Sequence, residues 1–151
     1  MAPHIVEPRP GADMGRLVVD VIVENVEDLR RAQRGELAPD QVRRLTVPAL
    51  VDSGATFFCM PESMVKQLGL PFNRERETRT VMGPLTLRVY GGARLTVQGR
   101  ECDEEVLALP DDRQVLLGQV PLEKMDWWVD LKSRRLVGNP EHGGQWMAEV
   151  Y

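Results

Sequence analysis

The sequence predicts an all-β fold with short helices. Strand-length runs rich in β-branched and apolar residues recur along it, among them LVVDVIV at 17–23, LTLRVYG at 85–91 and EEVLAL at 104–109. Glycine and proline punctuate these runs at Met82-Gly83-Pro84 and Gly91-Gly92, as a hairpin tip and a bulge or bend require. Helical periodicity is confined to short stretches between the runs.

The elements follow in order. Residues 1–15 hold three prolines and two glycines and read as a flexible N-terminal arm. The run at 17–23 is the first strand. Asn25 then caps a short helix with Val26, Leu29 and Ala32 on one side and Gly35 at its end. One more turn is expected over 39–44, and LTVPALV at 45–51 returns as the second strand. Residues 25–44 therefore read as a helical excursion between two paired strands. Pro61 suits the first position of the next helix, Glu62 its positive end and Gly69 its stop, with Met64, Val65 and Leu68 as its apolar face. From 75 to 109 the pattern is strand-like throughout. QVLLG at 114–118 is a short apolar run stopped by glycine. One or two helical turns over 121–125 precede WWVDLKSRRLV at 127–137, a hairpin with its turn near Lys132-Ser133. Residues 145–151 alternate between polar and apolar and end on strand formers, which predicts a terminal strand. The expected organisation is an arm at 1–15, one domain over 16–140, and a C-terminal strand within 141–151.

Composition bounds the function. At 151 residues there is room for one domain with a substantial core and hardly for two. Hydrophobic residues make up 42% and charged residues 28%, the balance of a folded soluble protein. A net charge of -4 argues against nucleic acid as a partner. No apolar run approaches the roughly 18 residues of a membrane span. The first fifteen residues lack a basic start followed by an apolar block, so no secretion signal is expected. Cys59 and Cys102 are too few for a disulfide framework, and a reducing, cytoplasmic setting is expected. With His4 and His142 they form no metal-ligand spacing, so neither a metal nor another cofactor is expected.

Chemistry concentrates at PALVDSGATFF, residues 48–58. An apolar strand ends on Asp52, where a carboxylate gains nothing from burial. Gly54 lets the backbone turn sharply and bring its N–H toward that carboxylate. Ser53 adds a short hydroxyl. An Asp-Ser-Gly triplet by itself marks no more than an Asx turn. At the mouth of a buried strand it holds a carboxylate rigidly in a partly buried site. Cys59 lies in FFCMP, an apolar setting that favours an inert buried thiol. His142 reads as an exposed loop histidine. Glu101, Asp103, Glu104 and Glu105 read as a solvated turn, and Arg74, Arg76 and Arg79 as a solvated strand face. Trp127 and Trp128, adjacent on a strand, point to opposite faces, so at least one belongs to the core or to an interface.

In four features the sequence resembles the retropepsin-like, clan AA aspartic peptidases, a single-domain family with soluble bacterial members. LVDSGAT at 50–56 matches the family's active loop. The helix and LGL at 68–70 follow it, a hairpin with a glycine-bearing tip at 82–84 stands where the family has its flap, and VLLG at 115–118 matches the element beside the active loop. The resemblance covers roughly 17–137. It implies an acid-protease β-barrel with one lobe per chain and Asp52 as the catalytic carboxylate. Ser53, Gly54, Ala55 and Thr56 would complete the active loop. Leu116, Leu117 and Gly118 would support that loop. Val81, Met82, Gly83, Pro84 and Leu85 would form the flap over the substrate. Ser53 replaces the commoner threonine. Gln119 stands where the viral enzymes carry a bracing arginine.

Peptide hydrolysis of this kind needs two carboxylates sharing one proton. The chain carries one such triplet, so the resemblance implies a homodimer with one Asp52 from each copy, acting on a polypeptide in extended conformation. The alternative reading is a non-catalytic dimeric or peptide-binding module that keeps the fold.

Overall fold

A computed structural model describes residues 5–6 and 16–147. Strand β1 (Ile5–Val6) pairs with β2 (Leu17–Asn25), so part of the expected arm is a strand. The rest of 1–15 lies outside the described residues. Along β2 every second residue from Leu17 is buried, the alternation of a strand with one face on a core. It turns back through α1 (Val26–Gln33) and a 3-10 turn (Pro39–Gln41) into β3 (Arg44–Val51), which pairs with it antiparallel from Leu17↔Val51 to Glu24↔Arg44. The helical excursion at 25–44 is thus present between paired strands.

Its ends are fastened. The Asn25 side chain accepts from the Asp28 N–H at 3.0 Å and donates to the Leu68 carbonyl at 2.9 Å. Asp28, buried, takes two side-chain hydrogen bonds from Arg43, at 2.8 and 3.0 Å, and a third from its backbone N–H. These bonds, the side-chain ones foremost, hold its carboxyl below the ordinary value of 3.8 against the opposing cost of burial. Gly69 is required here twice over. Its φ is +65°, and a Cβ would run into the Arg43 guanidinium.

After β4 (Phe58–Pro61) comes α2 (Glu62–Gln67), with Pro61 at its N-cap and not within its first turn. Then β5 (Phe72–Thr80) and β6 (Gly83–Val97) form a long hairpin turning at Val81 and Met82. The run expected at 85–91 continues to Val97 as one strand. It bends at Gly91 and Gly92, where the register against β7 (Arg100–Leu109) shifts between Tyr90 and Ala93. Glu101, Asp103, Glu104 and Glu105 lie on β7 and not in a turn. Three of them carry ion pairs: Asp103 with Arg94, Glu104 with Lys124 and Glu105 with Arg74. A short β8 (Val115–Leu117), α3 (Gln119–Lys124), and the hairpin of β9 (Trp127–Asp130) and β10 (Arg135–Gly138) complete the elements.

The sheet closes. Strands run β1-β2-β3-β8-β4-β7-β6-β5, and β2 also pairs with β6, which joins six of them into a mixed barrel. Parallel pairs are β3 with β8 and β4 with β7. Its core is aliphatic, with Val19, Val21, Val23, Leu95, Leu117 and Phe58 almost wholly buried. A smaller apolar cluster of Cys59, Leu87, Val89 and Leu107 lies under the base of the β5–β6 hairpin. Of the C-terminal strand expected within 141–151, residues 140–142 form a 3-10 turn, 143–147 run irregularly, and 148–151 lie outside the described residues. Among the described residues no helix is long and apolar enough to cross a membrane.

Candidate active site

Asp52 is delivered by β3 to the end of the barrel. Beside it, β8 runs parallel, with Leu50 opposite Leu116 and Val51 opposite Leu117. The ladder ends where the Asp52 N–H donates to the Leu117 carbonyl at 3.0 Å. The chain then turns tightly: the Gly54 N–H donates to Asp52 Oδ1 at 2.9 Å and the Ala55 N–H to the Asp52 carbonyl at 3.1 Å. On the far side, the N–H groups of Gln119 and Val120, at the start of α3, donate to the carbonyls of Ala55 and Thr56 at 2.8 and 2.9 Å. The loop is thus clipped at both ends by the VLLG segment. Gly118 is the close approach that permits this. A Cβ there would lie 2.7 Å from the Ala55 oxygen and 2.8 Å from the Phe57 nitrogen. Leu117 and Gly118 lie against the loop, and Leu116 pairs with Leu50 on the strand that leads into it.

Asp52 is half-buried, while Ser53, Gly54 and Thr56 are exposed. A hollow of about 680 Å³ opens beside Asp52 and Ser53, walled by Arg16, Gln119, Trp128 and Leu131. Trp128 is 46% exposed and Leu131 57%, large apolar side chains at the edge of a carboxylate site. Trp127 also borders this hollow but is half-buried, its indole N–H donating to the Val97 carbonyl at 3.2 Å.

Leu50 also lines a second hollow, about 630 Å³, under the tip of the β5–β6 hairpin. There Val81, Met82, Gly83, Pro84 and Leu85 face Leu109, Arg113 and Leu116 across the opening. Val81 and Met82 are almost wholly exposed at the turn. Leu50 and Leu116, from the two strands that hold the Asp52 loop, form its floor.

Cys59 is buried, and burial first, then the nearby Asp52 charge, pushes its thiol up to about 11. Burial and the raised thiol are what the apolar setting of FFCMP suggested. His142 differs from expectation. Its ring is largely buried, and Nδ1 lies 2.6 Å from Asp126 Oδ2. Asp126 is buried with φ at +58° and also accepts from Asn139 and the Met147 N–H. Burial raises its carboxyl, but the bonds from His142, Asn139 and Met147 outweigh burial and leave it lowered. Arg100 adds to the same anchorage. It donates to the carbonyls of Met125, Asp126 and Gly144 while its guanidinium lies 3.9 Å from the Trp127 ring centre. Together these contacts tie 139–147 to the end of α3. Sequence periodicity offers no signal for such a pairing, because Asp126 and Asn139 both sit in loops. Among the described residues no group of three or more His, Cys, Asp or Glu is placed to hold a metal.

A family model described as aspartyl protease matches residues 39–120, which include the Asp52 loop, the β5–β6 hairpin and β8. Among solved structures, the solution structure of the Simian Foamy Virus (mac) protease is similar to this chain. The two share 33% identity over 52% of this chain and 81% of that one, with a TM-score of 0.41. No curated protein matches.

Proposed function

We propose that this chain, which belongs to the aspartyl protease family, is an aspartic endopeptidase that works as a homodimer. The observation that carries the reading is the position of Asp52: a carboxylate at a strand end, its turn closed by the Gly54 N–H and its loop clipped to β8 and α3. The sequence holds one such loop. Two copies facing each other would bring two Asp52 carboxylates together, and like charges that close share one proton. The charged carboxylate takes a proton from water as its oxygen attacks the peptide carbonyl carbon. The protonated one donates to the carbonyl oxygen. The resulting diol breaks at the C–N bond, with a proton passing to the leaving nitrogen.

Two features support a second copy at this face. Ser53 and Gly54 are exposed beside Asp52, and Trp128 and Leu131 offer apolar surface next to them. Residues 143–151 would add to the same interface. Met147 lines the same hollow as Trp128. An extended peptide would lie across the two carboxylates. The hairpin tip at 81–85 would close over it and exclude water. The two free thiols suit a reducing compartment such as the cytoplasm.

Cleavage of an unfolded protein or a peptide library, compared between wild type and Asp52→Asn, tests the reading. The variant keeps the shape of the loop and loses the ionisable group. Its rate should fall by about 10²–10⁴-fold or more. Equal cleavage by both proteins would remove Asp52 from the chemistry and favour a binding module.

A further inference from the structure

One guanidinium group, that of Arg113, lines the hollow under the hairpin, and a second, that of Arg76, lies one strand pair beyond its lining; the chemistry at Asp52 uses neither. On β5, Arg76 stands opposite Leu87 and Thr78 opposite Leu85. Residues directly opposite in an antiparallel pair share a face. Thr78, Leu85 and Leu87 all line the hollow, so Arg76 lies on the same face, one pair further from the tip. Its guanidinium carbon is 4.4 Å from the centre of the Phe57 ring. That contact holds the charge over the end of the loop that begins at Asp52. Glu75, Glu77 and Arg79 alternate to the opposite face. Glu105 is hydrogen-bonded by Arg74 and Asn73, and the Arg76 charge also acts on it from further off.

Across the opening, Arg113 lines the hollow beside Gln114. Asp112 is 3.9 Å from it, and the two side chains are 70% and 83% exposed. So loose a pair exchanges readily for another carboxylate. The surface between the arginines is apolar, formed by Leu50, Leu87, Leu109 and Leu116.

We propose that this groove selects extended polypeptide segments in which a bulky apolar side chain, seated on Leu50 and Leu116, is flanked by Asp or Glu, whose carboxylate is read by Arg76 on one wall or Arg113 on the other. The inference rests on the peptidase reading for placing the peptide in this groove. An extended peptide sends alternate side chains to one face, so the anchor and a residue two positions away point the same way, about 6.6 Å apart. The acidic side chain supplies the anion and the apolar one the burial. Neither alone matches this wall and floor.

The test uses labelled peptides with a central Leu-Phe pair in a neutral polar background and Glu or Gln at each flanking position in turn. Binding is read by fluorescence polarisation on the Asp52→Asn protein, and hydrolysis on the wild type. At one or more flanking positions the Glu member should bind about five- to tenfold more tightly than its Gln counterpart, with the difference shrinking at high salt. Arg76→Gln and Arg113→Gln should each erase the preference at their own positions and leave the Leu-Phe requirement in place. Arg79→Gln, on the other face, should change nothing. All three side chains are exposed, so the variants keep the fold. Equal binding of Glu and Gln members, binding of neither, or a preference that survives the Arg76→Gln, Arg113→Gln double variant overturns the proposal. Hydrolysis at equal rates across the pairs defeats this inference alone. Acid-selective binding with no hydrolysis by the wild type defeats the peptidase reading and leaves the inference standing.

Discussion

Gly118 decides where the Asp52 loop sits. Its missing side chain lets the backbone of 55–57 lie against the start of α3, where a Cβ would meet the Ala55 oxygen and the Phe57 nitrogen well inside contact distance. Neither neighbour is a flexible side chain, so Gly118→Ala must shift the loop. Overpacking of this kind costs about 1–3 kcal/mol, and displacing the carboxylate by even a fraction of an ångström costs activity on the order of tenfold or more. Thermal melting and peptide hydrolysis should therefore both fall, with hydrolysis falling further than the modest loss of stability explains. A variant with full activity would show that the loop does not depend on this contact. At this scale the sequence was most readable where chemistry is local. Asp52, Gly54 and the 115–118 segment announce themselves by strand ends and turn residues. Arg16, Arg76 and Leu131 do not, because they stand far from Asp52 in sequence and only the tertiary fold brings them near it. His142 was misread for a related reason: its partner, Asp126, lies in a loop with no period to reveal it.

Among the elements, the excursion between β2 and β3 carries the clearest electrostatic signature. Asp28 is buried and its carboxyl is lowered, chiefly by the side-chain bonds from Arg43. A carboxyl lowered on folding stabilises the protein fully above its ordinary value of 3.8, and the benefit is lost as pH falls through the folded value. Asp126 behaves in the same sense, with the bonds from His142, Asn139 and Met147 overcoming burial. Melting temperature should therefore drop as pH is taken from about 5 toward 2, and Asp28→Asn should flatten part of that slope. At neutral pH the same substitution should cost about 1–3 kcal/mol, toward the lower end because Arg43 is half-exposed and regains water. An unchanged acid limb in the variant would count against the assignment. The strands themselves were legible from alternation, and α1 from its Asn25 cap. The bulge or bend expected at Gly91-Gly92 is where β6 bends, its register against β7 shifting between Tyr90 and Ala93. Alternation alone did not show that one strand runs through it, because a bulge disturbs the two-residue period without ending the strand.

For the whole molecule, the barrel was expected through the resemblance at the Asp52 loop and is present, but strand patterns alone did not show which pair closes it, since β2 and β6 meet some seventy residues apart. The surface around Asp52 carries the strongest prediction about assembly. Trp128→Arg combined with Leu131→Asp places charge on the apolar rim of the half-site. It should weaken self-association on the order of tenfold or more, seen by sedimentation, and make specific activity fall on dilution. Deleting residues 143–151 should act in the same direction. A full-length protein that sediments as a monomer and still cleaves would defeat the shared site. One carboxylate loop per chain also has a genetic consequence. When intact and Asp52→Asn chains are made together in equal amounts and pair at random, only about a quarter of the pairs hold two carboxylates. Activity should then follow the square of the intact fraction. On the proposed homodimer an inactive allele would poison its partner, and dominance would follow from a site that takes one carboxylate from each copy.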